Sequence, residues 1–263
     1  MSNPNNGARK AVEIRAALFL IALICGFLPL RLGTARAAPC SFQPQGEGRV
    51  ADIIDARSFR LGDGREVRLA GIEPMAGTAP LSAVLAGRDV SLRGDDDAPD
   101  RYGRQPAFVF LDNSENPVQA MLLEQGEALA SADVADGACA SALSAAEAAG
   151  RDARRGIWAG PGVIKSAEST GDILAGNGRF VLVEGRVLSV RQAGATTYLN
   201  FGRNWTRDFA VTISRRVLGS LEAAGIAPKS LESRRIRVRG FVETRAGPRI
   251  ELVRSGQIEV LGN

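Results

Sequence analysis

The chain has 263 residues, of which 45% are hydrophobic and 24% charged. Such a composition is too apolar for a disordered chain, and the length is too short for more than about two domains. No histidine occurs, which excludes His-based acid–base catalysis, Ser-His-Asp and Cys-His dyads, and the usual zinc sites. Any chemistry falls to Asp, Glu, Arg, Lys, Tyr or Ser.

Arg9, Lys10 and Arg15 precede an apolar run at 16–30, and Ala35-Arg36-Ala37 follows it. A charged start, an apolar stretch of about 15 residues and an A-x-A site predict a secretory signal over 1–37. The run is shorter than the roughly 20 residues a membrane span needs. The mature chain is therefore expected to be exported, periplasmic or secreted, with no stable membrane association. Cys25 leaves with the signal. Cys40 and Cys139 remain, and an even pair in an oxidising compartment predicts one disulfide.

The net charge of +4 belongs to the leader, which holds five Lys/Arg against Glu13. Residues 38–165 hold 13 Lys/Arg against 19 Asp/Glu, net −6, while 166–263 hold 15 against 9, net +6. The division predicts two modules, 38–160 and 179–263, joined by a Gly-rich linker at 161–178. The second module suits a polyanion, although opposite charges would also draw the halves together.

Alternating apolar and polar residues predict strands at 48–55, 58–61 and 66–72, with Asp63-Gly64 as a hairpin turn. A short helix at 80–86, a strand at 89–93, an acidic loop and a strand at 105–111 follow. Helices at 118–125 and 138–155 close the first module. The second repeats the order: strands at 179–191, 196–201 and 208–213, a helix at 214–225 opened by Ser214, then strands at 235–244, 248–253 and 257–261. Three strands, a helix and two strands is the order of an OB barrel. The expected class is mainly β with α, as two OB-like five-stranded barrels in tandem, the first with additional C-terminal helices.

Three segments of the first module resemble the staphylococcal nuclease (thermonuclease) family. Residues 50–59, with Asp52, Asp55 and Arg57, resemble its V-x-V-x-D-G-D-T opening. Val67-Arg68-Leu69-Ala70-Gly71-Ile72-Glu73-Pro74 is similar to V-R-L-x-G-I-D-x-P-E, and Asp100-Arg101-Tyr102-Gly103-Arg104 matches D-x-Y-G-R. The later helix and Gly156-Ile157-Trp158 complete a resemblance that spans 47–160. It implies an OB-fold nuclease that hydrolyses DNA and RNA with calcium. Arg68 and Arg104 take the two phosphate-gripping arginine positions, Asp55 the first acidic metal position, and Glu73 the Asp of G-I-D.

Two departures bear on activity. Arg57 stands where the family has a second acidic metal ligand, placing a positive charge beside the cation position. No glutamate follows Pro74, where the family's general base is expected; the chain reads Met75-Ala76 instead. Asp95, Asp96 and Asp97 offer further oxygens or are simply solvated. Arg68 and Arg104 equally suit ion pairs with Glu73 or Asp55. Tyr102 reads as packing and Glu147 as solvated surface.

In the second module, Tyr198 and Trp205 are candidate base-stacking residues. Arg203 and Arg207 are candidate phosphate contacts, with Arg215, Arg216, Arg235, Arg237 and Arg239 as further basic positions. Three functions fit these residues. One is a nucleic-acid or phosphate-polymer binding protein with weak or lost phosphodiester hydrolysis. The second is an active calcium-dependent nuclease using Asp55 and Glu73, and the third is an envelope protein-interaction module. The departures favour the first.

Overall fold

The computed structural model describes residue 40 and residues 42–95, 98–112 and 114–262. The leader and its cleavage site lie outside these residues, as do Asp96 and Asp97. Ala37–Asn263 form one compact unit, mostly strands with five helices among the described residues. No described helix is long and apolar enough to cross a membrane.

The first barrel is built from β1 (Gln43–Asp55), β2 (Ser58–Leu61), β3 (Glu66–Leu69), β4 (Ile72–Pro74), α1 (Ala79–Leu85), β5 (Asp89–Gly94) and β6 (Gln105–Leu111). Five of its strands close in the order β1-β2-β3-β6-β5. β1 makes closure possible: its first half pairs with β5 and its second half with β2. Register shifts at 50–52 and 53–55 bend it between the two partners. Phe59, Leu61, Val67, Leu69, Leu92 and Phe110 fill the interior with almost no exposure.

Helix α2 (Val118–Glu124), strand β7 (Ala128–Ala130) and helix α3 (Gly137–Asp152) cover the barrel's end, and β7 pairs with β4. Asp136 caps α3 by accepting the Cys139 amide at 2.6 Å. The cap fixes the first turn that carries Cys139, which is disulfide-bonded to Cys40. The expected pairing is present.

The span expected as a linker holds β8 (Ile164–Ser166) and α4 (Thr170–Leu174). After it come β9 (Phe180–Arg186), β10 (Ser189–Ala193), β11 (Thr196–Asn200), β12 (Ala210–Ser214), α5 (Arg215–Ala223), β13 (Arg235–Arg245), β14 (Gly247–Leu252) and β15 (Ile258–Val260). They form an eight-stranded sheet whose main path runs β10-β11-β12-β14-β13-β9-β8, with β15 added on β13. Both sheets place the second strand after a helix alongside an earlier strand in parallel, β6 on β3 and β14 on β12. Only Val187 and Leu188 separate β9 from β10, so one bent run supplies the edge strand β10 and then β9, which lies between β13 and β8. Ser214 sits at the start of α5 but makes no side-chain cap bond.

The two modules share an interface. Leu129, Trp158, Phe180 and Leu182 form an apolar cluster across it. Beside this cluster lies Glu147, which is 1% exposed and not solvated surface as expected. Its carboxylate accepts two hydrogen bonds from Arg239, at 2.9 and 3.1 Å, and one from the Ala130 amide at 2.7 Å. Arg237 is likewise consumed, by Glu184 and Glu259. Of the four β13 arginines, Arg237 and Arg239 are therefore tied up in buried ion pairs that hold the fold together.

Candidate functional site

The candidate site of the first barrel starts at the turn between β1 and β2. Asp55 Oδ1 accepts the Arg57 amide at 2.8 Å, the local bond by which an aspartate closes a turn. The turn aims Arg57 at β4, where its Nη1 donates to the Ile72 carbonyl at 2.9 Å and to Glu73 Oε1 at 2.5 Å. The bend between β3 and β4 requires Gly71. Its φ is +77°, and a Cβ there would lie 2.8 Å from Leu143 Cδ1.

Arg68 and Arg104 come together as expected of a shared site, but on a different acid. Arg104 Nε and Nη2 donate to Asp100 Oδ2 at 3.0 and 2.8 Å, and Arg68 Nη1 lies 3.9 Å from the same oxygen. Asp100 Oδ1 accepts the Tyr102 and Arg104 amides. Burial resists ionisation of Asp100, but these hydrogen bonds outweigh it and hold the carboxyl below its ordinary range. Asp100 is a site residue that sequence reasoning overlooked; its place at the head of a short Gly-containing loop was the available signal. Tyr102, expected in packing, is 65% exposed with Arg101 and Arg104 against its ring.

Arg57, Arg68, Asp95 and Asp133 line a cavity of about 300 Å³. The two acids that the resemblance offers to calcium, Asp55 and Glu73, do not line this cavity. The Glu73 carboxylate is engaged by Arg57, whose fixed positive charge opposes a divalent ion. Asp55 is engaged in its own turn. Among the described residues no three His, Cys, Asp or Glu side chains gather as a metal group.

Burial pushes the Glu73 carboxyl above the ordinary glutamate range; Arg57 pulls it back only in part, and Asp133 adds to the rise. A raised folded-state pKa means that this group's contribution to stability is fully present below about pH 4.3, the unfolded value, and is lost as pH rises through the folded value. The difference in melting temperature between the protein and Glu73→Gln should therefore change with pH, the native protein gaining relative to the variant on acidification. A difference independent of pH would refute this environment for Glu73.

The second module presents a groove of about 950 Å³ on the outer face of β10, β11 and β12. Tyr198, Arg203 and Trp205, proposed from sequence, all line it. Arg207 lies in the same β11–β12 loop but does not line the groove. Arg191 and Arg245 do, and sequence reasoning missed both. Arg191 was readable from strand alternation, whereas Arg245 reaches the groove only through the β13–β14 turn.

Residues 77–160 match the family model of the staphylococcal nuclease homologue. That segment belongs to the staphylococcal nuclease family. The closed barrel order fits the OB-like fold expected of the nuclease homologue, and the matched stretch contains Asp100 and Arg104. Asp55, Arg57, Arg68 and Glu73 precede it, so their part in the site rests on geometry alone. No curated protein sequence matches the chain.

Proposed function

We propose that this is an exported nuclease-like protein with two OB-like barrels, binding nucleic acid or another phosphorylated polymer, in which hydrolysis is weak or lost. The observation that carries the reading is the Arg57–Glu73 contact, a side-chain cation lying against a carboxylate that the resemblance assigns to the catalytic site. Arg68 and Arg104 remain clustered and able to hold a phosphate if Asp100 yields them. The disulfide suits an oxidising compartment and supports export.

Purified protein incubated with labelled single-stranded DNA and RNA, in calcium or in chelator, tests the reading. Binding without calcium-dependent cleavage is expected. Cleavage in calcium that disappears in Arg68→Ala/Arg104→Ala would mean that the family chemistry survives through another ligand set, and would overturn the loss of hydrolysis. Binding of no polyanion would overturn the ligand class.

The damaged half of the site is also open to repair. Arg57→Asp combined with Met75→Glu removes the intruding cation and supplies a carboxylate beside Pro74. Cleavage in calcium should rise by roughly 10²-fold, the low end of what a positioned general base contributes. No gain in a folded variant would count against the roles given to these two positions.

A further inference from the structure

The groove on the second sheet combines three features that point to one ligand chemistry. First, it carries aromatic surface: Trp205 is 74% exposed, and the half-buried Tyr198 also lines the groove. An indole face held in water is a ready platform for a flat π-system. Second, it carries unspent positive charge. Among the described residues, Arg191, Arg203 and Arg245 make no ion pair and no side-chain hydrogen bond, unlike Arg237 and Arg239 on the same module.

Third, its charge is one-sided. Asp208 is the only lining carboxylate among the described residues, and it is occupied in closing the β11–β12 loop by accepting the Asn204 amide at 2.8 Å. Short side chains on the floor, Ser189, Ala210 and Thr212 among them, leave room for a ligand to lie flat on the strands.

We propose that this groove binds single-stranded nucleic acid, with bases stacked on Trp205 and Tyr198 and phosphates held by Arg191, Arg203 and Arg245. The proposal rests on the polyanion-binding reading above and moves its site from the first barrel to the second. A duplex keeps its base faces stacked inside and cannot use the aromatic platform. A polyphosphate would use the arginines but leave the rings idle.

The test uses the purified protein with oligo-dT, the matching duplex and inorganic polyphosphate as probes. The chain has two tryptophans. Trp158 is 8% exposed at the module interface, so quenching of tryptophan emission reports Trp205. Oligo-dT is expected to quench it and to bind more tightly than either other probe. Trp205→Ala should weaken binding about tenfold and abolish the quench. Arg191→Gln/Arg203→Gln/Arg245→Gln should weaken it further and reduce the slope of log affinity on log salt by about two, since each lost phosphate contact removes roughly 0.7. Unchanged melting temperatures would show that these surface variants are folded.

Arg68→Ala/Arg104→Ala, which removes the arginine pair of the first barrel, should cost oligo-dT affinity less than the groove variants do. Loss of binding in that variant, with binding retained in the groove variants, would overturn the groove while leaving polyanion binding intact. Equal affinity for duplex or polyphosphate without quenching would overturn base stacking. Failure to bind any of the three probes would overturn both readings.

Discussion

Arg239→Ala is expected to destabilise the protein by about 3–5 kcal/mol, the range seen when one partner of a buried ion pair is removed. Glu147 is 1% exposed and receives two of Arg239's donated bonds, a third going to the Ala130 carbonyl. Without Arg239 it keeps only the Ala130 amide and Arg151, the latter 3.6 Å away. A carboxylate left in that position is desolvated and largely unpaired, which is where the cost arises. Urea unfolding should show a lower midpoint. The paired replacement Glu147→Leu/Arg239→Met removes both charges and should recover most of the loss, because apolar residues of similar volume often replace a buried pair at little cost. A loss below about 1 kcal/mol for Arg239→Ala would mean that water reaches Glu147 and that the pair is a surface one. Because β7, α3 and β13 all meet at this pair, the same variant should loosen the contact between modules.

Removal of the disulfide is the second large effect. Cys40 and Cys139 are 99 residues apart in sequence, and a closed loop of about 100 residues removes some 4.7 kcal/mol of unfolded-chain entropy in the simplest model. Cys40→Ala/Cys139→Ala should lower stability by roughly 2–5 kcal/mol, the span observed for native disulfides. Alanine is the better replacement, since both positions are essentially buried and a serine hydroxyl would add a desolvation cost. Reductant should bring the native protein down toward the variant and leave the variant unchanged. If reductant shifts neither, the bond is absent in the purified protein and the argument for an oxidising compartment falls with it.

Most elements were readable from local signals. Period-two alternation marked the barrel strands, Asp63-Gly64 marked the first hairpin, and the cysteine pair was recognisable once Cys25 was assigned to the leader. The elements missed were β7, β8 and α4, of three, three and five residues. Segments that short carry no period. They are strands or helices only because a neighbour supplies hydrogen bonds, β4 for β7 and β9 for β8.

The site divides in the same way. The presence of Arg57 where an acid is expected could be read directly, and so could the lack of a glutamate after Pro74. That Arg57 would reach Glu73, and that Arg68 and Arg104 would converge on Asp100 instead, could not. Those contacts join the β1–β2 turn to β4 and the strand β3 to the loop before β6, across the barrel. Glu147 was misread although its spacing held the clue. It stands four residues after Leu143 and three before Gly150, on the helix face that α3 buries.

The sequence by itself determined the order of the longer elements, the disulfide partners, the arginine at position 57 with no glutamate after Pro74, and the surplus of arginine in the second half. These follow from residue type and local spacing. Only the tertiary structure decided which arginines are spent. Arg237 and Arg239 are neutralised because β13 runs through the middle of its sheet and against the first module, where an unpaired charge would be desolvated. Arg191, Arg203 and Arg245 stay free because the edge strand β10, the β11–β12 loop and the β13–β14 turn leave them in water, around a groove that Trp205 and Tyr198 also line.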